Sequence, residues 1–146
     1  YIYIDADKMS VHKDDDKQVK VIAGKFEKAE GPVKGHNIEP FYFDVELNEG
    51  KEFKFNLPST HNSFVYLING EIVVGEKDHK KIKDSTLILL SKGEELKVKA
   101  VSSAKFLVIS GKPINEEIAR GGPFVMNTKA EILQAVQDYH NGTFVK

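Results

Sequence analysis

The chain contains no cysteine. That excludes disulfides, thiolate zinc sites and a thiol nucleophile, and it is compatible with a reducing compartment. Charge of one sign is also lacking: 21 Lys and Arg face 22 Asp and Glu, for a net −1. Bulk electrostatics therefore favours neither nucleic acid nor an anionic membrane as a direct partner. No apolar run approaches the roughly 20 residues that span a bilayer. The opening residues YIYIDADKMSVHKDDDK set acids where a secretory leader would carry bases. The expected compartment is cytoplasmic, or nuclear in a eukaryote. A chain that opens at Tyr1 rather than Met is expected to be a fragment or a processed product. Internal repeats, heptads, low-complexity tracts and a Gly-x-Ser-x-Gly elbow are all missing.

What is present is a run of alternating strands. With 146 residues, one domain can bury roughly 70% of its unfolded surface. Residues 1–17 are polar, end in Asp14-Asp15-Asp16, and read as an entry segment or linker with an edge strand at Tyr1–Ile4. Residues 18–146 read as the domain proper. Gln18–Ala23 is a β-branched strand stopped by Gly24. Phe43, Val45 and Leu47 alternate with Asp44 and Glu46, as in a half-buried strand. Phe53, Phe55 and Leu57 alternate again after the turn Asn48-Glu49-Gly50. Phe64–Ile68 and Glu71–Val74 flank Asn69-Gly70, a strong hairpin signal. Leu87–Leu90 is continuously apolar and reads as a strand covered on both faces. Leu96, Val98 and Ala100 alternate with lysines, and Phe106–Ile109 closes the set. About eight strands separated by turn residues predict an all-β sandwich or jelly-roll barrel.

The end of the chain changes period. Thr128 is placed to cap a helix over 128–141, and Glu131 three residues on completes a capping box. Ile132, Leu133, Ala135, Val136 and Tyr139 recur at helical spacing. Asn141-Gly142 ends the helix, because glycine accepts the left-handed conformation past the last turn.

Several segments carry a second signal. They are GKPINE at 111–116, GPFVMNT at 122–128 with the helix that follows, VKVIAG at 19–24, Gly31-Pro32-Val33, PSTHNSFVYLING at 58–70 and LILLSKG at 87–93. Together they resemble the second domain of the pirin family, whose members are two-cupin proteins. Glu117 stands where members usually carry Pro, and Gly121 where an aromatic or His is common. The resemblance implies a cupin-type jelly-roll β-barrel (a double-stranded β-helix) with a C-terminal α-helix. It also implies that the family's metal, iron or another divalent ion, belongs to an N-terminal cupin, as does the quercetin 2,3-dioxygenase activity of some members. Some eukaryotic members are implicated as transcriptional cofactors.

The cupin metal positions can be read off the motif ending Tyr66-Leu67-Ile68-Asn69-Gly70. Counting back from Gly70, the two His positions fall on Leu57 and Ser59 and the Glu position on Ser63. The last His position, three residues after Gly93, falls on Leu96. Iron or manganese needs imidazole and carboxylate donors, so no metal, cofactor or catalytic residue is expected in this chain.

The leading expectation is thus a metal-free, non-catalytic C-terminal cupin. Its partner would be the N-terminal cupin of the parent protein, with self-association when that half is absent. A second reading makes the chain the silent half of a quercetin 2,3-dioxygenase-like metal enzyme. A third is a small-molecule-binding barrel, with a pocket formed by His61, Tyr66, Phe53 and Phe55. His61 lies just before a strand, and a structural role outweighs an acid–base one because no positioned partner is evident. His12, His36, His79 and His140 share no metal-like spacing. Asp14–Asp16 lacks the alternating ligands, central Gly and distal Glu of a calcium loop. The basic stretch from Lys77 to Lys83 has no interleaved aromatics and reads as a solvated hairpin tip. Asn141-Gly142-Thr143 is a formal glycosylation sequon in which Gly142 already has a capping role.

Overall fold

The computed structural model describes residues 3–34, 37–75 and 80–145, in two compact units, Tyr1–Pro113 and Ile114–Lys146. The first unit is all β. Its strands are β1 (Ser10–Lys13), β2 (Lys17–Ala23), β3 (Lys25–Phe26), β4 (Ala29–Glu30), β5 (Phe41–Leu47), β6 (Glu52–Asn56), β7 (Asn62–Asn69), β8 (Glu71–Val74), β9 (Ile82–Lys83), β10 (Thr86–Leu89), β11 (Glu95–Ala100) and β12 (Ala104–Gly111). They form a six-stranded sheet, β1-β2-β5-β12-β7-β10, and a four-stranded sheet, β6-β11-β8-β9, with β3 and β4 as a small separate pair. All sheet pairings are antiparallel. The two sheets are not closed into one barrel by edge pairing among the described residues. The result is a jelly-roll sandwich, the cupin architecture.

Alternation fixes which face of each strand is buried. In β2 the inward residues are Val19, Val21 and Ala23; in β5 they are Phe43, Val45 and Leu47; in β12 they are Ala104, Phe106, Val108 and Ser110. Six phenylalanines interlock between the sheets. Phe53 stacks on Phe26 at 5.4 Å between ring centroids and meets Phe106 edge-on at 5.7 Å. Phe41, Phe43 and Phe55 close a triangle with centroids 4.8–6.0 Å apart. Edge-to-face and offset pairs at such separations add to the gain from area burial.

The acidic turn between β1 and β2 is held locally. Asp14 Oδ1 accepts from the backbone N–H groups of Asp16 and Lys17, and Lys17 Nζ lies 2.9 Å from its other oxygen. Lys17 holds the Asp14 carboxyl well below the usual carboxylate range.

Three expectations need correction. Asn69-Gly70 does not close a hairpin: β7 pairs with β12 and β10, whereas β8 pairs with β11 and β9. Gly70, at φ +90°, is a corner where the chain passes from one sheet to the other. A Cβ there would sit 2.4 Å from the Ser103 carbonyl oxygen, so the position also packs against the turn between β11 and β12. Leu87–Leu90 is not covered on both faces, because β10 is an edge strand with Leu87 55% and Leu89 78% exposed. Only Ile88 and Leu90 turn toward the core. The edge strand of the entry segment is Ser10–Lys13; Tyr3 and Ile4 have no regular structure, and Tyr1 and Ile2 lie outside the described residues.

The second unit consists of the hairpin β13 (Ala119–Gly121) and β14 (Phe124–Met126) followed by α1 (Lys129–His140). Thr128 Oγ1 accepts from the Glu131 backbone N–H, and the Thr128 N–H donates to the Glu131 carboxylate at 2.7 Å, completing the capping box. Gly142, at φ +69°, follows the C-cap Asn141. Of the expected apolar stripe, Ile132 and Ala135 are buried, while Leu133 and Tyr139 are exposed. Gly121 has a packing reason: a Cβ there would lie 2.4 Å from Ile132 Cγ2. No helix among the described residues is long and apolar enough to cross a membrane.

Candidate functional site

Among the described residues the core is apolar except at one place. His61 and Ser110 are its buried polar residues. Ser110 is the last inward residue of β12, and Ser63 is its cross-strand partner on β7. Antiparallel partners point to the same face, so the two hydroxyls meet, Oγ to Oγ, at 2.8 Å. His61 precedes β7 in a tight turn closed by its own N–H donating to the Pro58 carbonyl at 3.0 Å. Lys92 pins this turn from outside, with Nζ donating to the carbonyls of Thr60 and His61 and to Asn62 Oδ1 at 2.8–3.3 Å. The imidazole is thereby pointed inward. Its Nδ1 lies 3.1 Å from Ser110 Oγ, and its ring centroid 5.8 Å from that of Phe41.

This polar relay borders a cavity of about 370 Å³. Leu57, Ile88, Leu90 and Leu96 form apolar walls, and His61 and Ser63 supply polar atoms. Lys80 and Glu95 stand at its rim, with Glu95 paired to Lys97 at 3.0 Å. A cavity of this size falls in the usual range of small-molecule sites. Ser59 lies on a neighbouring, more open groove with Thr60 and Glu94.

Of the four positions read as cupin metal-ligand places, Leu57, Ser63 and Leu96 converge on this cavity, and Ser59 does not. Two hydrocarbon side chains and one hydroxyl do not fit a divalent metal, which needs imidazole, carboxylate or thiolate donors. Among the described residues no three His, Cys, Asp or Glu side chains gather as a metal-ligand group. His36 and His79 lie outside the described residues.

The four residues read as a barrel pocket separate. His61 lines the cavity. Phe53 is fully buried in the phenylalanine cluster, and Phe55 is half-buried against Phe41 and Phe43. Tyr66 is 37% exposed on the outer face of β7, opposite in phase to Val65 and Leu67. Sequence reasoning missed Ser110, whose link to His61 spans 49 positions. The only available signal was a serine closing the apolar alternation of β12.

Comparison with known proteins agrees with this architecture. The family described as the pirin C-terminal cupin domain matches residues 42–145. A pirin-like protein of Solanum lycopersicum is 42% identical over 103 residues, covering 69% of this chain and 35% of its own length. A Pseudomonas aeruginosa protein with a provisional quercetin 2,3-dioxygenase name is 36% identical over 129 residues, covering 86% of this chain and 45% of its own. The crystal structure of a quercetin 2,3-dioxygenase from Acinetobacter baumannii superposes with a TM-score of 0.84 at 34% identity, over 97% of this chain and 49% of that one. The chain thus spans less than half the length of these relatives.

Proposed function

The chain belongs to the pirin family as a C-terminal cupin domain, and on that premise we propose that it is the metal-free, non-catalytic half of a two-cupin protein. Any metal, and any quercetin 2,3-dioxygenase-type chemistry, would reside in an N-terminal cupin that this half supports. One observation carries the reading: the place where a cupin gathers its metal ligands holds Leu57, Ser63 and Leu96. Leucine has no lone pair to donate, so an ion there would exchange its water shell for hydrocarbon.

A specific surface supports the docking part. On the outer face of the six-stranded sheet, register places Leu87, Tyr66 and Leu107 in one cross-strand row, and Leu89, Phe64 and Ile109 in the next. Outer faces of antiparallel sheets are ordinarily polar, and an apolar patch of this kind marks an interface. The proposed occupant is a second cupin seated against these rows, a reading supported by the relatives' length, about twice that of this chain.

The test has two parts. Mass spectrometry after incubation with ferrous iron and desalting should find no metal retained by this chain; about one ion per chain overturns the reading. The L87K/L89K pair should leave the fold unchanged, yet weaken binding of the parent's N-terminal half about tenfold or more. Unaltered binding rejects these rows as the interface.

A further inference from the structure

We propose that the cavity between His61 and Leu96 binds a small apolar carboxylic acid, its carboxyl group against His61 and Ser63 and its hydrocarbon body between Leu57, Ile88, Leu90 and Leu96. This goes beyond the two-half reading and does not depend on it.

His61 is only 4% exposed, and its Nδ1 is engaged by Ser110. Its Nε2 has no hydrogen-bond partner among the described residues. Among the described residues the fully buried side-chain polar atom without a partner is Asp44 Oδ1; His61 Nε2 instead is reached from the cavity that the ring lines. The partner is therefore whatever enters that cavity.

The serine relay then selects the chemistry. Each hydroxyl has one proton and can donate once. With His61 neutral and Ser63 donating to Ser110, Ser110 donates to Nδ1; Nε2 carries the proton, and the Ser63 oxygen keeps a free lone pair. Reversed, Nδ1 donates to Ser110, Ser110 donates to Ser63, and Ser63 donates into the cavity while Nε2 accepts. Either way the protein offers one donor and one acceptor, the complement of a protonated carboxyl group. With the ring protonated, Nε2 and Ser63 both donate, the complement of a carboxylate. A carboxyl group is matched in each of these states, whereas an alcohol has one oxygen to satisfy two sites. The walls ask for a hydrocarbon body, because four branched aliphatic side chains offer it no hydrogen bond. At the rim, the charge of Glu95 is balanced by Lys97, which leaves Lys80 to favour an entering anion.

The test uses the purified chain and sodium benzoate, with sodium chloride at matched ionic strength and benzyl alcohol as controls. Nitrogen-15 NMR of the histidine rings is the readout. Benzoate should shift the His61 ring nitrogens saturably, and benzyl alcohol should bind at least about tenfold more weakly. H61F removes the polar head and keeps the bulk; L96W fills the cavity and keeps His61. Each should weaken benzoate binding at least about tenfold by calorimetry, with amide spectra reporting an intact fold. The absence of a saturable shift in the unmodified chain overturns the proposal without recourse to variants. Equal affinity for benzyl alcohol, or for H61F, overturns the carboxylate assignment.

Discussion

Two layers of the same core are built on opposite plans. In one, Phe53 of β6 meets Phe106 of β12 across the sheets, with Val98 opposite Phe53 and Leu67 opposite Phe106. Phe53, Phe106 and Leu67 are fully buried. Four residues further along β12 and its partner strand, past Val108 and Val65, the inward pair is Ser110 and Ser63, and the neighbouring space is a cavity of about 370 Å³. The strands are continuous between the layers, so backbone geometry does not account for the difference. Side-chain volume and polarity do. Stability is concentrated where aromatic rings interlock, and the capacity to take a ligand lies where small hydroxyls and aliphatic walls leave room.

That contrast can be tested. The largest effect is expected from F106A, which removes a ring from the filled layer and should destabilise the chain by about 3–5 kcal/mol in urea unfolding. A loss below about 2 kcal/mol would mean the layer relaxes into the gap. Enlargement should show the opposite asymmetry. V98F adds bulk where there is no room and should cost about 1–3 kcal/mol, whereas L96F grows into the cavity and should cost under about 1 kcal/mol. Equal costs would erase the distinction between the layers. S110A strips His61 Nδ1 of its partner and should cost about 1–3 kcal/mol despite the small change in volume. The double variant S63A/S110A should add little to that, since Ser63 loses its purpose with Ser110.

The smallest effect lies outside both layers, in α1. Hydrogen bonds from Thr128 hold the Glu131 carboxyl below its ordinary 4.5. A depressed folded value stabilises the helix above about pH 4.5 and loses that contribution as pH falls through the lower folded value. Far-UV circular dichroism should show helix signal fading in this acid window, and T128A, which removes the hydroxyl but leaves the backbone donors, should weaken the dependence while costing about 1 kcal/mol at neutral pH. A helix whose acid profile is unchanged by T128A would place that sensitivity elsewhere.

The sequence made visible what is local or phased by charge. The capping box spans three positions, and Thr128 with Glu131 announced it. Asp44 and Glu46 set the phase of β5, so its inward residues could be read directly. β7 and β10 carry no such markers: FVYLI and LILL are apolar throughout, and alternation cannot be seen in them. Hence the outward positions of Tyr66, Leu87 and Leu89 emerged only with the pairing register. Asn69-Gly70 signalled a turn correctly but not its destination, because a turn dipeptide does not tell a return from a change of sheet. The His61–Ser110 link is a tertiary fact, created when β12 inserts beside β7. The cupin motif grouped Leu57, Ser59, Ser63 and Leu96 in advance, and all but Ser59 frame the cavity found.

The position of β12 also bears on how the chain is made. It is the last strand of the first unit, yet it sits between β5 and β7. Until it emerges from the ribosome, the sheet exists only as two ribbons, β1-β2-β5 and β7-β10, each with a bare inner edge. Pairing so distant in sequence is slow, because loop closure precedes any reward from contact, and bare edges invite other chains. A nascent chain halted before Ala104 thus holds most of its hydrophobic residues and none of the strand that joins them. The interval of translation just before β12 is when the chain's exposure to wrong pairing is greatest.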